Sequence, residues 1–148
     1  MIRQATKEDI PELVLLGMRM HQESSYRKLS FDAEKCAALA DQLIASTYGA
    51  VLVAEIDGQI IGWMAGGIAP FWFSHDRMAF EYGVFIDAEY RGGSAGYRLV
   101  KEFVRWAKEH GAVEIRMGIT TGVHEERTGE LYQRLGLQRT GLLYSMEV

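Results

Sequence analysis

Apolar residues recur along this chain with two different periods, and each period predicts a kind of secondary structure. Residues 1–5 favour a short strand. In two later segments apolar residues recur every three or four positions, as on the buried face of an amphipathic helix: Ile10–Met18 and Cys36–Ile44. Ser30 or Asp32 is a suitable N-cap for the second of these helices. The polar residues 21–29 between the two helices predict a loop.

The middle of the chain predicts three strands, at Ala50–Ile56, Gln59–Ala69 and Met78–Ile86. Asp57-Gly58 favours a two-residue hairpin turn between the first two strands, and Gly66-Gly67 indicates a bend or a bulge in the second. The remaining segments predict, in order, a helix, a strand, a helix and two strands: Leu99–Ala107, Val113–Ile119, about Glu126–Leu135, Leu137–Thr140 and Leu142–Glu147. The element order is therefore β-α-α-β-β-β-α-β-α-β-β. Without repeats or linkers, it predicts one domain over residues 1–148.

Composition and charge exclude several classes of protein. The 148 residues are 48% hydrophobic and 24% charged, as in an ordinary water-soluble domain. A net charge of −4 argues against nucleic acid as a partner. The single cysteine, Cys36, lies on an apolar helix face and is expected to be a buried thiol. No membrane span, signal peptide or metal-ligand spacing is present, so we expect a cytoplasmic protein without a metal.

The stretch from Arg91 to Gly96 is the most informative part of the chain. It follows the strand ending at Ile86 and leads directly into a helix. Small residues let a ligand approach the backbone, and the first N–H groups of a helix have no internal partner and bind anions. Arg91 would add a positive charge. This loop therefore predicts a phosphate site, formed by Arg91, Gly92, Gly93, Ser94, Ala95 and Gly96.

The loop matches neither common nucleotide motif, because it lacks both a following Lys-Ser/Thr pair and the G-x-G-x-x-G spacing. It resembles the pyrophosphate loop of the GNAT acyltransferase superfamily, in which Arg or Gln is followed by x-x-Gly-x-Gly/Ala. Arg91 and Gly96 occupy the first and last positions of that pattern. Ser94 departs from it, since the family usually has glycine there. The element order also resembles that of GNAT proteins, over nearly the whole chain.

A third resemblance lies near the C-terminus, where residues 131–137 read Leu-Tyr-Gln-Arg-Leu-Gly-Leu. They resemble the family's L-Y-x-x-x-G-F segment, with Leu137 in place of Phe. In the family this tyrosine faces the coenzyme thiol and donates a proton to the departing thiolate, so the resemblance implies that role for Tyr132. A neutral O–H suits such a donor at pH 7. The alternative is that Tyr132 only packs against the sheet.

The resemblance implies both a fold and a reaction. The implied fold is an α/β (α+β) GNAT fold, whose mixed, mostly antiparallel sheet has splayed fourth and fifth strands and flanking helices. The implied reaction is direct attack of a primary amine on acetyl-CoA, a co-substrate bound partly by backbone N–H groups of Val84, Phe85 and Ile86. Such attack requires no nucleophilic side chain, which agrees with the absence of a Ser-His-Asp signature. A non-catalytic acyl-CoA-binding module and a generic nucleotide-binding domain are the competing hypotheses.

Glu81 is the candidate general base, because many family members have a carboxylate on this strand that acts through water. Strand alternation predicts that Glu81 shares a face with Gly83 and Phe85. The competing interpretation is a solvated strand residue. His124 and Glu125 lie where many family members have an asparagine that contacts the coenzyme. They are second-rank candidates for coenzyme contact or for the base.

The acceptor amine is not defined by the sequence. Phe71-Trp72-Phe73 predicts either a lining for the acceptor pocket or, equally, core packing or a homodimer contact. His21 and His75 are expected in loops beside the same pocket. A small-molecule amine and a peptide or protein amine both stay open.

Overall fold

The computed structural model of the chain describes residues 1–148 and contains one five-stranded sheet in the order β1-β2-β3-β4-β5. β1 (Ile2–Gln4), β2 (Gly49–Ile56), β3 (Gln59–Pro70) and β4 (Arg77–Ile86) are antiparallel neighbours. β5 (Glu114–Arg116) runs parallel to β4. The mixed, mostly antiparallel sheet expected from the sequence is thus confirmed.

Two pairs of helices cover the two faces of the sheet. α1 (Ile10–Glu23) and α2 (Ala33–Ala45) pack on one face, and α3 (Ala95–Glu109) and α4 (Glu125–Arg134) contribute to the core on the other. Of the two predicted N-cap residues of α2, the structure has Asp32, whose carboxylate accepts a hydrogen bond from the Lys35 N–H at 3.0 Å. No helix is long and apolar enough to cross a membrane.

The polar segment between α1 and α2 is more regular than the predicted loop. α1 continues through Glu23, and a short 3-10 helix follows at Ser25–Lys28. The Ser24 hydroxyl accepts a hydrogen bond from the Tyr26 N–H at 3.2 Å, which stabilises the first turn of that 3-10 helix. Polar residues on the exposed side of a helix end resemble a loop in the sequence, which explains the error.

β2 is buried on both sides, which explains its continuous apolar sequence. Ala50, Leu52 and Ala54 belong to the core under α3, whereas Val51 and Val53 belong to the core under α1 and α2. The two faces of the sheet therefore have separate cores. A residue that changes face on a strand moves from one core to the other.

β3 and β4 contain the predicted irregularity at the glycine pair. Ala65 pairs with Gly83 and Gly66 pairs with Glu81, so Tyr82 is an extra residue in β4, as in a β-bulge. The bulge reverses the alternation at Glu81. Its side chain lies on the face of α3 and α4, not on the face of Gly83 and Phe85 as predicted.

β4 and β5 pair over only three residues and then diverge. Met78, Ala79 and Phe80 of β4 are the paired positions, so the strand predicted at Val113–Ile119 is shorter than expected. Beyond them the Glu81 side chain, not backbone, spans the gap to residue 118. The splayed fourth and fifth strands implied by the GNAT resemblance are confirmed.

The C-terminal strands predicted at Leu137–Thr140 and Leu142–Glu147 are absent. α4 ends at Arg134, and Gly136, whose φ is +92°, lets the chain turn away so that the Leu137 N–H donates to the Tyr132 carbonyl at 3.1 Å. Residues after this stop contain no regular element, and the apolar side chains of the alternating pattern are exposed: Leu142, Tyr144, Met146 and Val148. Such alternation is typical of a strand with one buried face. Here the segment pairs with no other strand, and no other element covers its apolar side.

Candidate active site

A cleft of about 780 Å³ opens where β4 and β5 diverge. Its loop half is lined by the β4–α3 connection and the nearby turns of α3 and α4: Arg91, Gly92, Gly93, Gly96, Tyr97 and Arg127. Its apolar half is lined by α1, α2, β3 and the segment just before α2: Leu13, Met20, Phe31, Leu39, Leu43 and Trp63. Of the residues predicted for catalysis or coenzyme binding, ten line this cleft: Glu81, Val84, Phe85, Ile86, Arg91, Gly92, Gly93, Gly96, His124 and Tyr132. Ser94 and Ala95 contribute backbone to the loop beside it, and the second-rank candidate Glu125 does not line it.

Backbone groups dominate the loop half. Gly92 has φ +93°, a left-handed conformation in which a side chain would be strained. Ser94 has φ −91°, so the serine that departs from the family pattern sits in ordinary backbone geometry. It precedes α3 without capping it, and the N–H groups of Ala95, Gly96 and Tyr97 have no partner within the helix. This arrangement can bind an anion.

Arg91 does not extend freely into the cleft as its position in the motif suggested. Its Nε donates to the Ile86 carbonyl at 2.8 Å, and its guanidinium lies 2.6 Å from the Glu23 carboxylate at the end of α1. Arg19 of α1 pairs in the same way with Asp87. These contacts hold the last turns of α1 against the loop, and the Glu23 carboxylate partly neutralises the Arg91 charge.

Arg127 is a cation that the sequence interpretation missed. Its guanidinium lies beside the loop, 3.7 Å from the position that a Cβ of Gly92 would occupy. It forms no ion pair, unlike Arg91. The available signal was its place in the first turn of the predicted last helix, two residues after the candidate Glu125.

The edge of β4 that faces the gap exposes backbone donors. The Asp87 N–H donates to the Ile61 carbonyl of β3. Because successive residues of a strand direct their backbone groups to opposite edges, the N–H groups of Val84 and Ile86 point away from β3. β5 has already left β4 at this point, so these two donors face the cleft.

Glu81 and Tyr132 meet at one residue, Gly118. The Glu81 Oε1 accepts a hydrogen bond from the Gly118 N–H at 2.8 Å. The Tyr132 hydroxyl donates to the Gly118 carbonyl at 3.3 Å, a long and therefore weak hydrogen bond. Two candidates from distant parts of the chain are thus brought together at the end of β5, where the strands separate.

Both ionisable groups have shifted pKa values. Burial raises the pKa of Glu81 above the ordinary value of a glutamate, and the Gly118 N–H lowers it in part. Burial, together with the negative charge of Glu81, raises the pKa of Tyr132. Glu81 is thereby a stronger proton acceptor than a solvated glutamate, and Tyr132 keeps its proton.

His124 lies at the N-terminus of α4 in left-handed backbone geometry, with φ 49° and ψ 43°. Histidine is among the few residues other than glycine that tolerate this region. Its exposed ring has no hydrogen-bond partner and borders the cleft. Glu125 is the first residue of α4 and does not line the cleft.

The apolar half presents carbon surface. The Trp63 ring lies across Gly83, where a Cβ would come within 3.1 Å of it, and its Nε1 is buried without a partner. The Phe31 ring packs against His21, with 5.3 Å between ring centroids. Cys36 borders this half and is half-buried, not buried as expected, and partial burial raises the pKa of its thiol.

On the acceptor side, some of the alternatives given by the sequence are wrong. Phe71-Trp72-Phe73 does not line the cleft, and Trp72 and Phe73 are exposed at the β3–β4 turn instead of packing in the core, so of the alternatives only a homodimer contact stays a prediction. His75 lies in that turn as well and does not border the cleft. His21 borders it as expected, but it belongs to α1 and not to the predicted loop. The turn joins the strand ends opposite the loop half, so its aromatics cannot reach the gap.

A model of the acetyltransferase (GNAT) family matches residues 15–137, which is most of the chain. The chain belongs to the GNAT acetyltransferase family. The family resemblance carried by the loop and the last helix is thereby confirmed. No group of three or more His, Cys, Asp or Glu side chains is placed to hold a metal ion.

The GNAT chain is similar to an uncharacterized N-acetyltransferase of Methanocaldococcus jannaschii, with 24% identity over 141 residues. The match covers 93% of this chain but only 60% of that protein. It is also similar to the thialysine N-epsilon-acetyltransferase of Bos taurus, with 26% identity over 147 residues that cover 93% of this chain and 84% of that protein.

Among solved structures, the aminoglycoside N-acetyltransferase AAC(6')-Iy in complex with the bisubstrate analogue CoA-S-monomethyl-acetylneamine has a similar fold. The TM-score is 0.81, the identity is 17%, and the match covers 100% of this chain and 97% of that chain. At this identity the likeness concerns the fold alone.

Proposed function

We propose that this protein transfers the acetyl group of acetyl-CoA to a primary amine by direct attack, as a single domain over residues 1–148. One observation carries the proposal: Glu81 and Tyr132 are held on the same residue, Gly118, at the mouth of the gap between β4 and β5. A proton acceptor and a proton donor are therefore bonded to the N–H and to the carbonyl of one residue. A non-catalytic module would need neither.

The residues of the loop half fit the pyrophosphate of acetyl-CoA. The free N–H groups of Ala95, Gly96 and Tyr97 and the unpaired Arg127 offer donors and charge to phosphate oxygens. The gap-facing N–H groups of Val84 and Ile86 would hold the pantetheine arm and the thioester carbonyl, beside Phe85. His124 borders the same half and is proposed as a further coenzyme contact.

The two shifted pKa values suit the two proton transfers. Glu81 accepts the proton that the attacking amine loses, directly or through water. That protonation removes the negative charge that helps to raise the pKa of Tyr132. Tyr132 then becomes a better acid when the thiolate departs and takes its proton. The acceptance of one proton thus prepares the donation of the other.

The direct test is release of free thiol from acetyl-CoA in the presence of a panel of primary amines. Turnover with at least one amine is the expected result. Coenzyme A binding without turnover on any amine would favour the non-catalytic module. Tighter binding of ATP or NAD than of coenzyme A would favour the nucleotide-binding domain.

Arg91→Ala tests the coenzyme site separately. Loss of a charge-assisted contact is worth roughly 1.5–3 kcal/mol, so the KM for acetyl-CoA should rise on the order of tenfold or more. An unchanged KM would remove Arg91 from the coenzyme site. A homodimer and a cytoplasmic location stay predictions of the sequence.

A further inference from the structure

The apolar half of the cleft points to the chemical class of the acceptor. We propose that the acceptor is a primary monoamine with an apolar, ring-bearing body, and not a polycation such as an aminoglycoside or a polyamine. This proposal rests on the proposed acetyl transfer and deepens it. Three observations support it: polar atoms of the apolar half are buried, the charged residues along the cleft are balanced, and aromatic rings line the apolar half.

Three polar side-chain groups of the apolar half are buried: Trp63 Nε1, His21 Nε2 and the Ser24 hydroxyl. Trp63 has one side-chain donor, Nε1, and that atom is buried, so the part of its side chain that borders the cleft is carbon. The Ser24 hydroxyl is buried, donates to the His21 carbonyl at 3.0 Å and accepts from the Tyr26 N–H. A polyhydroxylated acceptor would find few partners here.

The charges along the cleft do not favour a polycation. As many arginines as glutamates line it: Arg91, Arg127 and Arg134 against Glu23, Glu81 and Glu130. Of the glutamates, Glu23 is paired with Arg91, and Glu81 is bonded to Gly118 and buried enough for its pKa to rise. Glu130 lies on α4, one turn from an arginine on each side. A ligand with several ammonium groups needs several free carboxylates, whereas one amine needs only Glu81.

The rings favour a flat apolar body. Phe31, Trp63 and the His21 ring border the same half, close to aliphatic side chains of α1 and α2. Aromatic side chains pack well on other rings and contribute more than aliphatic area alone. Each methylene of the acceptor that becomes buried here is expected to raise kcat/KM by about fourfold.

The first experiment compares acceptors on the wild-type protein by thiol release from acetyl-CoA. We expect kcat/KM to rise along propylamine, butylamine and hexylamine. For 4-phenylbutylamine it should exceed the values for spermidine and kanamycin by at least tenfold. Equal kcat/KM values for the three alkylamines would overturn the proposal, as would a higher kcat/KM for spermidine or kanamycin than for 4-phenylbutylamine. Neither result would contradict acetyl transfer itself.

The second experiment fills the apolar half from α2. Ala40 is half-buried and borders the cleft, whereas Ala38 is exposed on the same helix and does not. Ala40→Phe should lower kcat/KM for 4-phenylbutylamine tenfold or more, with the KM for acetyl-CoA within twofold. Ala38→Phe should change neither. Equal kinetics for Ala40→Phe and wild type, with both folded by thermal melting, would contradict the proposal.

Calorimetry separates this proposal from the proposed function. If no amine supports thiol release, binding of 4-phenylbutylamine in the presence of coenzyme A is measured directly. Binding to wild type and Ala38→Phe, with a tenfold loss in Ala40→Phe, would support the apolar site even though acetyl transfer had failed. Absence of binding to wild type would overturn it.

Discussion

The two halves of the cleft are built from different parts of the polypeptide. In the loop half, contiguous backbone from Arg91 to Gly96 supplies the donors, and the left-handed Gly92 shapes the turn. In the apolar half, side chains from α1, α2 and β3 supply the surface, and their polar atoms are hidden. A backbone site can bind a group shared by many ligands, such as pyrophosphate. A side-chain site can discriminate between ligands, because each residue can change independently.

Tyr132 lies between the two halves, and its substitution should have the largest effect. Tyr132→Phe removes the hydroxyl group and keeps the ring. The value of kcat should fall on the order of a hundredfold while the KM for acetyl-CoA barely changes, because the donated proton matters only in the reaction. Steady-state thiol release measures both. Tyr48→Phe, an exposed tyrosine away from the cleft, is the matched control. A wild-type kcat for Tyr132→Phe would make Tyr132 a packing residue.

Glu81→Gln should have the next largest effect, and its size should depend on pH. Only the carboxylate accepts a proton, so kcat/KM for the amine should fall as pH drops through the Glu81 pKa, which burial raises. Glu81→Gln should lower kcat/KM by tens of fold near neutrality. The loss should shrink at high pH, where more of the amine is already neutral.

Two further measurements sharpen the Glu81 test. Removal of its charge should lower the pKa of Tyr132 toward the ordinary tyrosine value, which an ultraviolet titration detects. Glu114→Gln, at an exposed glutamate of β5, is the matched control. A loss of equal size at every pH would indicate a positioning role for Glu81, and no loss would indicate a solvated residue.

The backbone character of the loop half can be tested at adjacent glycines. Gly92→Ala places a Cβ at φ +93° and should raise the KM for acetyl-CoA about tenfold, since a left-handed residue other than glycine costs about 1–2 kcal/mol. Gly93→Ala is the control, because Gly93 lacks a positive φ and its Cβ would meet nothing closer than 4.0 Å. Equal KM values for the two variants would mean that this turn does not shape the coenzyme site.

The smallest effect is expected at the ion pair that joins the two halves. Glu23→Gln removes the carboxylate that shares the Arg91 charge, so the KM for acetyl-CoA should fall two- to threefold, an effect of about 0.5 kcal/mol typical of exposed pairs. Glu12→Gln, elsewhere on α1 and without an ion pair, should leave KM unchanged. A higher KM for Glu23→Gln would show that the pair supports the loop more than it competes with phosphate.

Sequence reasoning worked best where function depends on contiguous residues. The loop and its helix were predictable because turn and helix start lie within six residues, and the Leu131–Leu137 segment because a helix stop fixes Tyr132 one turn earlier. Glu81 was singled out, but its face was wrong. A single bulge at Tyr82 reverses side-chain alternation, and alternation alone cannot reveal it.

The apolar half was not predictable in the same way. Its residues come from segments as far apart as Leu13 and Trp63, and each fits an ordinary core pattern in its own segment. The aromatic residues Phe71-Trp72-Phe73 were a stronger local signal, but they lie at the opposite strand ends, where Trp72 and Phe73 are exposed. The prediction of two C-terminal strands after Gly136 was wrong for a different reason. Alternation of apolar and polar residues there is typical of a strand, but it does not specify a neighbouring strand or a surface that would cover the apolar side.

The early separation of β4 from β5 gives β4 two rows of amides with different solvent exchange. The N–H groups of Gly83 and Phe85 bond to β3 and should exchange hydrogen only when the sheet opens, whereas those of Val84 and Ile86 face the gap and should exchange rapidly. Acetyl-CoA should slow exchange in the second row alone. Alternate residues of one strand would then report separately on the opening of the sheet and on the occupancy of the cleft.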